Sequence, residues 1–142
     1  MKRFIIIIAI IVLLDQITKF LAKILIGEKT IVLVKNILHL NLTKNTGAAF
    51  SLLQGNNFIL TLLGLVILCV LVYYLFHSGR DEAIALSMII GGAIGNLIDR
   101  VLHEGVIDFI QISIWPIFNL ADVAISVGAI LLIYSLVKKE ND

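Results

Sequence analysis

Four long apolar runs constrain this chain more than anything else in it: Phe4 to Ile26, Phe58 to Phe76, Ala83 to about Leu102, and about Phe118 to Val137. A bilayer core about 30 Å thick takes roughly 20 apolar residues as one helix. Lipid offers no partner to a bare backbone N–H or C=O, so a spanning segment must satisfy these groups internally. The runs therefore predict an all-α membrane protein with four transmembrane helices. Composition points the same way, since only 15% of the 142 residues are charged against about 25% in a soluble domain. The spans consume so much of the chain that residues 1–142 are expected to form one membrane-embedded domain. No internal repeat, low-complexity tract or flexible linker breaks it.

The opening Met1-Lys2-Arg3 and the apolar run to Leu14 imitate a secretory signal peptide. Apolar residues resume after Asp15, however, and no small-x-small cleavage site follows, so the segment is read as a retained first helix. Basic residues set the expected orientation. Lys2, Arg3, Arg80, Lys138 and Lys139 fall on the side of the two termini and the 77–82 turn, which should be cytoplasmic. The longer connections, 27–57 and 103–117, then lie outside. Within the first, Thr30 to Lys35 is β-prone, and Ile37 to Thr43 alternates apolar and polar residues with a period of two. A small extracytoplasmic β-sheet resting on the bundle is the expectation.

Several function classes fall away early. A formal net charge of +1 with no basic cluster gives nucleic acid nothing to bind. The single cysteine, Cys69, excludes an intrachain disulfide, and His39, His77 and His103 show no zinc-ligand spacing. No metal or cofactor is expected. Ser113, Ser126 and Thr61 have no His or Lys predictably beside them to act as a base, so they read as packing hydroxyls.

Polar residues inside the spans are more informative, because each is costly at membrane depth unless it faces protein or a wet cavity. The second span has none of weight and reads as a lipid-facing wall, leaving the first, third and fourth to enclose a site. Asp15 and Lys19 are four apart, on one helix face with the acid leading, which suits an ion pair. That pair serves equally well as a tie between helices. AsnThrGlyAlaAlaPhe at 45–50 is either an ordinary turn or a place where Asn45 contacts a substrate carbonyl, with Gly47 opening the backbone. GlyGlyAlaIleGlyAsnLeuIleAspArg at 91–100 carries a small-xxx-small pattern at Gly91 and Gly95 for close helix packing. It then sets Asn96, Asp99 and Arg100 on one helix face, as a salt bridge or as substrate contacts.

Asp108 follows the third span and Asp122 lies in the first turns of the fourth, so both should reach the same outer surface. Asn119, three residues before Asp122, is placed to orient it. Alone, Asp122 reads as a helix-start acid. Two carboxyls brought close cannot both ionise easily, and they share a proton. One can then serve as general base on a water while the other polarises a peptide carbonyl.

With these blocks in view, the chain resembles the lipoprotein signal peptidases, or signal peptidase II. The resemblance runs through AspGlnIleThrLys at 15–19, the 45–50 and 91–100 blocks, ValIleAspPhe at 106–109 and PheAsnLeuAlaAsp at 118–122, in the family's order. It implies an aspartic endopeptidase of the bacterial cytoplasmic membrane, active at the outer face, that removes signal peptides just before a diacylglyceryl-modified cysteine. By this resemblance Asp108 and Asp122 are the catalytic pair, and Asn45, Gly47, Asn96, Asp99, Arg100, Asn119, Asp15 and Lys19 line or support the substrate site. The implied partners are lipidated prolipoproteins and membrane lipids, with no obligate protein partner. Two rivals come from other classes: a small proton-coupled transporter or channel subunit using the acids as a proton path, and a non-catalytic assembly partner docking through Gly91 and Gly95.

Overall fold

The computed structural model describes residues 1–47 and 54–141. Helices α1 (Lys2–Leu25), α2 (Asn57–His77), α3 (Arg80–His103) and α4 (Leu120–Asn141) are all long and apolar enough to cross a membrane. Strands β1 (Ile31–Val34) and β2 (Leu38–Asn45) lie between α1 and α2, and β3 (Val106–Ile112) lies between α3 and α4. Alternating helix directions therefore gather all three strands at one end of the bundle and both termini at the other.

The helices wear their apolar side chains outward. Phe20, Leu25, Phe58, Tyr73, Ile130 and Ile133 are each at least 60% exposed, an arrangement stable only where the surroundings are themselves apolar. α2 buries only Leu75, in keeping with its reading as a lipid-facing wall. α1 buries Asp15, Lys19 and Ala22, with Ile26 just beyond its end. These four sit at helical spacing, so the inward stripe of α1 is half polar.

α3 is the hub and packs against α1, α2 and α4. Its glycines make this possible. A Cβ on Gly95 would stand 2.5 Å from Asp15 Oδ2, and one on Gly91 would stand 2.9 Å from Ile11 Cβ, both on α1. A Cβ on Gly92 would run into the Ala121 carbonyl of α4. The small-xxx-small face is thus used within the bundle, which leaves the assembly-partner reading without its surface. α3 starts at Arg80, ahead of the expected Ala83, because Glu82 Oε2 accepts the Gly79 N–H at 3.0 Å and two acids occupy its positive end.

The sheet is antiparallel in the order β1-β2-β3. β3 was not anticipated in the 103–117 connection. Its pairing is with a strand more than sixty residues earlier, and the register sets Thr43 opposite Asp108 and Asn45 opposite Val106. Phe109, Leu40, Leu42 and Ile110 of the sheet pack with Ala22 and Ile26 at the end of α1. The chain then folds back: Phe109 and Ile110 both donate backbone N–H groups to the Phe118 carbonyl, at 3.1 and 2.9 Å. This return carries Asn119 and the start of α4 alongside β3.

Candidate active site

Strand alternation sends Asp108 to the face opposite Phe109, beside Asn45. Asn45 lies two residues beyond Asp108's partner Thr43 on that face, a diagonal contact, and its Nδ2 donates to Asp108 Oδ2 at 3.0 Å. Asn45 Oδ1 accepts the Gly47 N–H at 3.0 Å, folding the turn against the strand end. The expected 45–50 block continues into Ala48, Ala49 and Phe50, which lie outside the described residues.

Asp122 arrives from the start of α4. Asn119 and Asp122 bond reciprocally, Asn119 N to Asp122 Oδ2 at 3.1 Å and Asp122 N to Asn119 Oδ1 at 3.0 Å. This is a capping box with an acid in its third position. The helix-start role of Asp122 is therefore present, and it holds the carboxyl still. Asn119 also donates through Nδ2 to Asp108 Oδ1 at 2.7 Å. A single buried amide side chain thus ties both aspartates together.

Asp108, Asp122, Asn45, Gly47, Asn96 and Arg100 line one cavity of about 580 Å³ at the sheet end of the bundle. Asp108 is only 2% exposed. Burial pushes its carboxyl up to about 6; the Asn45 amide opposes this, and the nearby Asp122 charge adds to it. Arg100 Nη2 donates to the Gly47 carbonyl at 2.7 Å and Nη1 to Asn57 Oδ1 at 3.3 Å. Its guanidinium is near enough to feel both aspartates without ion-pairing to either. Among the described residues no three His, Cys, Asp or Glu side chains cluster as metal ligands would.

Beneath the cavity lies a second polar cluster. Lys19 Nζ contacts Asp15 Oδ2 and Asp99 Oδ2 at 2.8 Å each and donates to Asn96 Oδ1 at 3.0 Å. Asp15 Oδ1 accepts the Ala121 N–H at 2.9 Å, and Asp99 Oδ2 accepts the Ile107 N–H at 3.0 Å. The pairing of Asp15 with Lys19 is therefore an inter-element tie that also reaches β3 and α4. Asp99 turns down to this cluster, away from Arg100 and out of the cavity lining.

A family model described as signal peptidase (SPase) II matches residues 7–138. The chain belongs to the signal peptidase II family. It is 39% identical over 140 residues to a lipoprotein signal peptidase of Halothermothrix orenii, covering 96% of each chain. To one from Caldanaerobacter subterraneus subsp. tengcongensis it is 42% identical over 139 residues, covering 95% of this chain and 96% of the relative. Two solved structures of bacterial membrane enzymes, obtained by the in meso method, superpose with TM-scores of 0.89 and 0.87 at 32% identity. The first match covers 99% of this chain and 90% of the other, and the second 97% and 94%.

For a signal peptidase II the sequence reading omitted two polar side chains. Gln16 Nε2 lies 3.2 Å from each of Asp15 Oδ2, Asp99 Oδ1 and the Gly95 carbonyl, joining α1 to α3. Asn57 Nδ2 donates to the Arg100 carbonyl at 2.9 Å, anchoring the start of α2 beside the cavity. Both could have been suspected as amides inside or at the edge of apolar spans.

Proposed function

We propose that Asp108 and Asp122 are the catalytic pair with which this chain, a multi-pass membrane peptidase, removes signal peptides from prolipoproteins, cutting before a diacylglyceryl-modified cysteine. The observation that carries this reading is that two carboxyls from separate elements open onto one cavity, both held by Asn119, Asp108 by its side-chain amide and Asp122 by its backbone N–H, and meet no cation within ion-pair distance among the described residues. Such a pair holds a single proton between its members.

The ionised carboxyl takes a proton from a water molecule as the water oxygen attacks the scissile carbonyl carbon, and the protonated carboxyl gives its proton to the carbonyl oxygen. Collapse of the tetrahedral diol then breaks the C–N bond, with a proton delivered to the leaving amine. The attacking species is water, so no acyl-enzyme forms. Arg100, Asn45 and Gly47 bind and orient the segment around the scissile bond. The signal helix enters from lipid between the spans, and the acyl chains of the modified cysteine stay in the bilayer.

The basic residues at the terminal end of the bundle, Lys2, Arg3, Arg80, Lys138 and Lys139, support cytoplasmic termini. The sheet and cavity then face outward, on the side to which lipoproteins are exported. The transporter reading has no support. It needs free acids through the membrane depth, yet Asp15 and Asp99 are both held on Lys19. Purified enzyme in vesicles, given diacylglyceryl-modified and unmodified precursor, should cleave only the modified one, and equal cleavage of both would remove the proposed substrate class.

A further inference from the structure

The Lys19 ammonium lies outside the cavity lining, yet it is hydrogen-bonded to Asn96, which donates to Asp122 and accepts from the Asn119 amide that holds Asp108. We infer that Lys19 is a positioning residue that biases the hydrogen-bond direction of the Asn96 and Asn119 amides, so that each turns its NH₂ to one of the two aspartates; this rests on the reading of those two residues as the catalytic pair.

An ammonium has three N–H groups and no acceptor. All three are used: on Asp15 Oδ2 and Asp99 Oδ2 at 2.8 Å and on Asn96 Oδ1 at 3.0 Å. Asn96 must therefore turn its oxygen toward Lys19, since its NH₂ there would set donor against donor. The same oxygen accepts Asn119 Nδ2 at 3.0 Å. With the oxygen so committed, the Asn96 amide nitrogen has one direction left, and it donates to Asp122 Oδ1 at 2.8 Å. Asn119 is fixed in turn. Its NH₂ serves Asn96 Oδ1 and Asp108 Oδ1, and its oxygen accepts the Asp122 N–H.

The result is a directed chain from one cation to two carboxylate oxygens, Asp122 Oδ1 and Asp108 Oδ1, with Asn45 and the Asn119 backbone N–H holding the other two. Asp108 accepts at Oδ1 from Asn119 and at Oδ2 from Asn45, while Asp122 accepts at Oδ1 from Asn96 and at Oδ2 from the Asn119 backbone. A carboxylate oxygen has about two acceptor sites, so each keeps one for the shared proton or the attacking water. Without the ammonium, Asn96 Oδ1 keeps only the Asn119 donor, and the barrier to flipping the amide is lowered. When it flips, its oxygen faces Asp122, a donor is lost, and that carboxyl can turn or hold the proton in an unproductive place.

The charged groups around this chain are Asp15 on α1, Asp99 and Arg100 on α3, Asp108 on β3 and Asp122 on α4. Lys19→Met alone leaves Asp15 and Asp99 without a counter-charge and risks unfolding. Lys19→Met combined with Asp99→Asn keeps the formal charge of the cluster and is the decisive variant. In the full-length enzyme in vesicles we expect kcat to fall on the order of 30-fold with KM nearly unchanged. The alkaline limb of the pH–kcat profile should move upward, because the Lys19 charge favours the ionised form of Asp108. A folded double variant with wild-type kcat and pH profile overturns the inference.

If the double variant does not fold, Asn96→Asp decides. Lys19 still holds one oxygen there, and the other must be protonated to face Asp122. Activity should then fall steeply with rising pH and recover on acidification, whereas an unchanged profile sinks the proposal. Asp108→Asn and Asp122→Asn are assayed beside these. Activity in either overturns the catalytic pair itself, while inactivity in both together with an unaltered Lys19 variant overturns only the positioning role.

Discussion

Two pairs of aspartates, joined by the same amide network, are treated in opposite ways. Asp15 and Asp99 are 0% and 1% exposed and share the Lys19 ammonium. Asp108 is as deeply buried, but it and Asp122 are given amides in place of a cation. A buried charge with a close counter-charge and filled acceptor sites is a fixed strut, here joining α1, α3, β3 and α4. A buried carboxyl without a counter-ion keeps its proton to a higher pH and can exchange it near neutrality. Counter-charge, more than burial, separates the acids that hold the bundle from those suited to chemistry.

The largest way to break this comparison is to neutralise one member of each pair. Asp108→Asn and Asp122→Asn should each lower cleavage of a lipidated precursor at least about a thousand-fold, with the protein still inserted and folded by its thermal unfolding in detergent. Asp99→Leu should do the reverse in kind, costing about 3 kcal/mol of stability because it strips a partner from Lys19 and orphans the Ile107 N–H. The molecules that remain folded should still cleave. Were Asp99→Leu as stable as wild type but Asp108→Asn unfolded, the roles assigned to the two pairs would be reversed.

A smaller effect sharpens the contrast through pH. The folded-state value of Asp108 is about 6, above its ordinary 3.8. The folded protein therefore binds more protons than the unfolded one between these values. The contribution of Asp108 to stability is fully present below pH 3.8 and is lost as pH rises through about 6. Asp108→Asn should remove this decline, so that the variant melts higher than wild type at pH 8 while being inactive. The smallest expected effect is that of Asn45→Ala. Loss of a donor to the ionised form lifts the Asp108 pKa further, so the alkaline limb of the rate profile should shift to higher pH by less than about one unit.

The helices were legible because their signal is local and long: four apolar runs of bilayer length need no partner to be recognised. Their ends were less so, as with α3, whose first turn of Arg80, Asp81 and Glu82 reads as a polar loop until Glu82 is seen to cap it. β3 was missed for a different reason. ValIleAspPheIleGlnIle is short and only partly alternating, and it becomes a strand through pairing with β2 across the sequence, a tertiary effect that no local pattern carries. Within the site, Asp108, Asp122 and Asn119 could be drawn together from spacing and expected membrane side. The split between Asp99 and Arg100 could not, because adjacent helical residues point some 100° apart and only the position of α1 decides which faces inward. Gln16 was overshadowed by the charged residues on either side of it.

The central claim is that Asp108 and Asp122 share one proton that is released near neutrality. Infrared difference spectroscopy of the carboxyl C=O stretch, titrated on the substrate-free enzyme, measures this directly. The account predicts one protonated buried carboxyl that disappears with a midpoint of about pH 6 and is absent from Asp108→Asn. A wild-type enzyme with no protonated carboxyl at pH 5, or a signal that persists unchanged in Asp108→Asn, would contradict it.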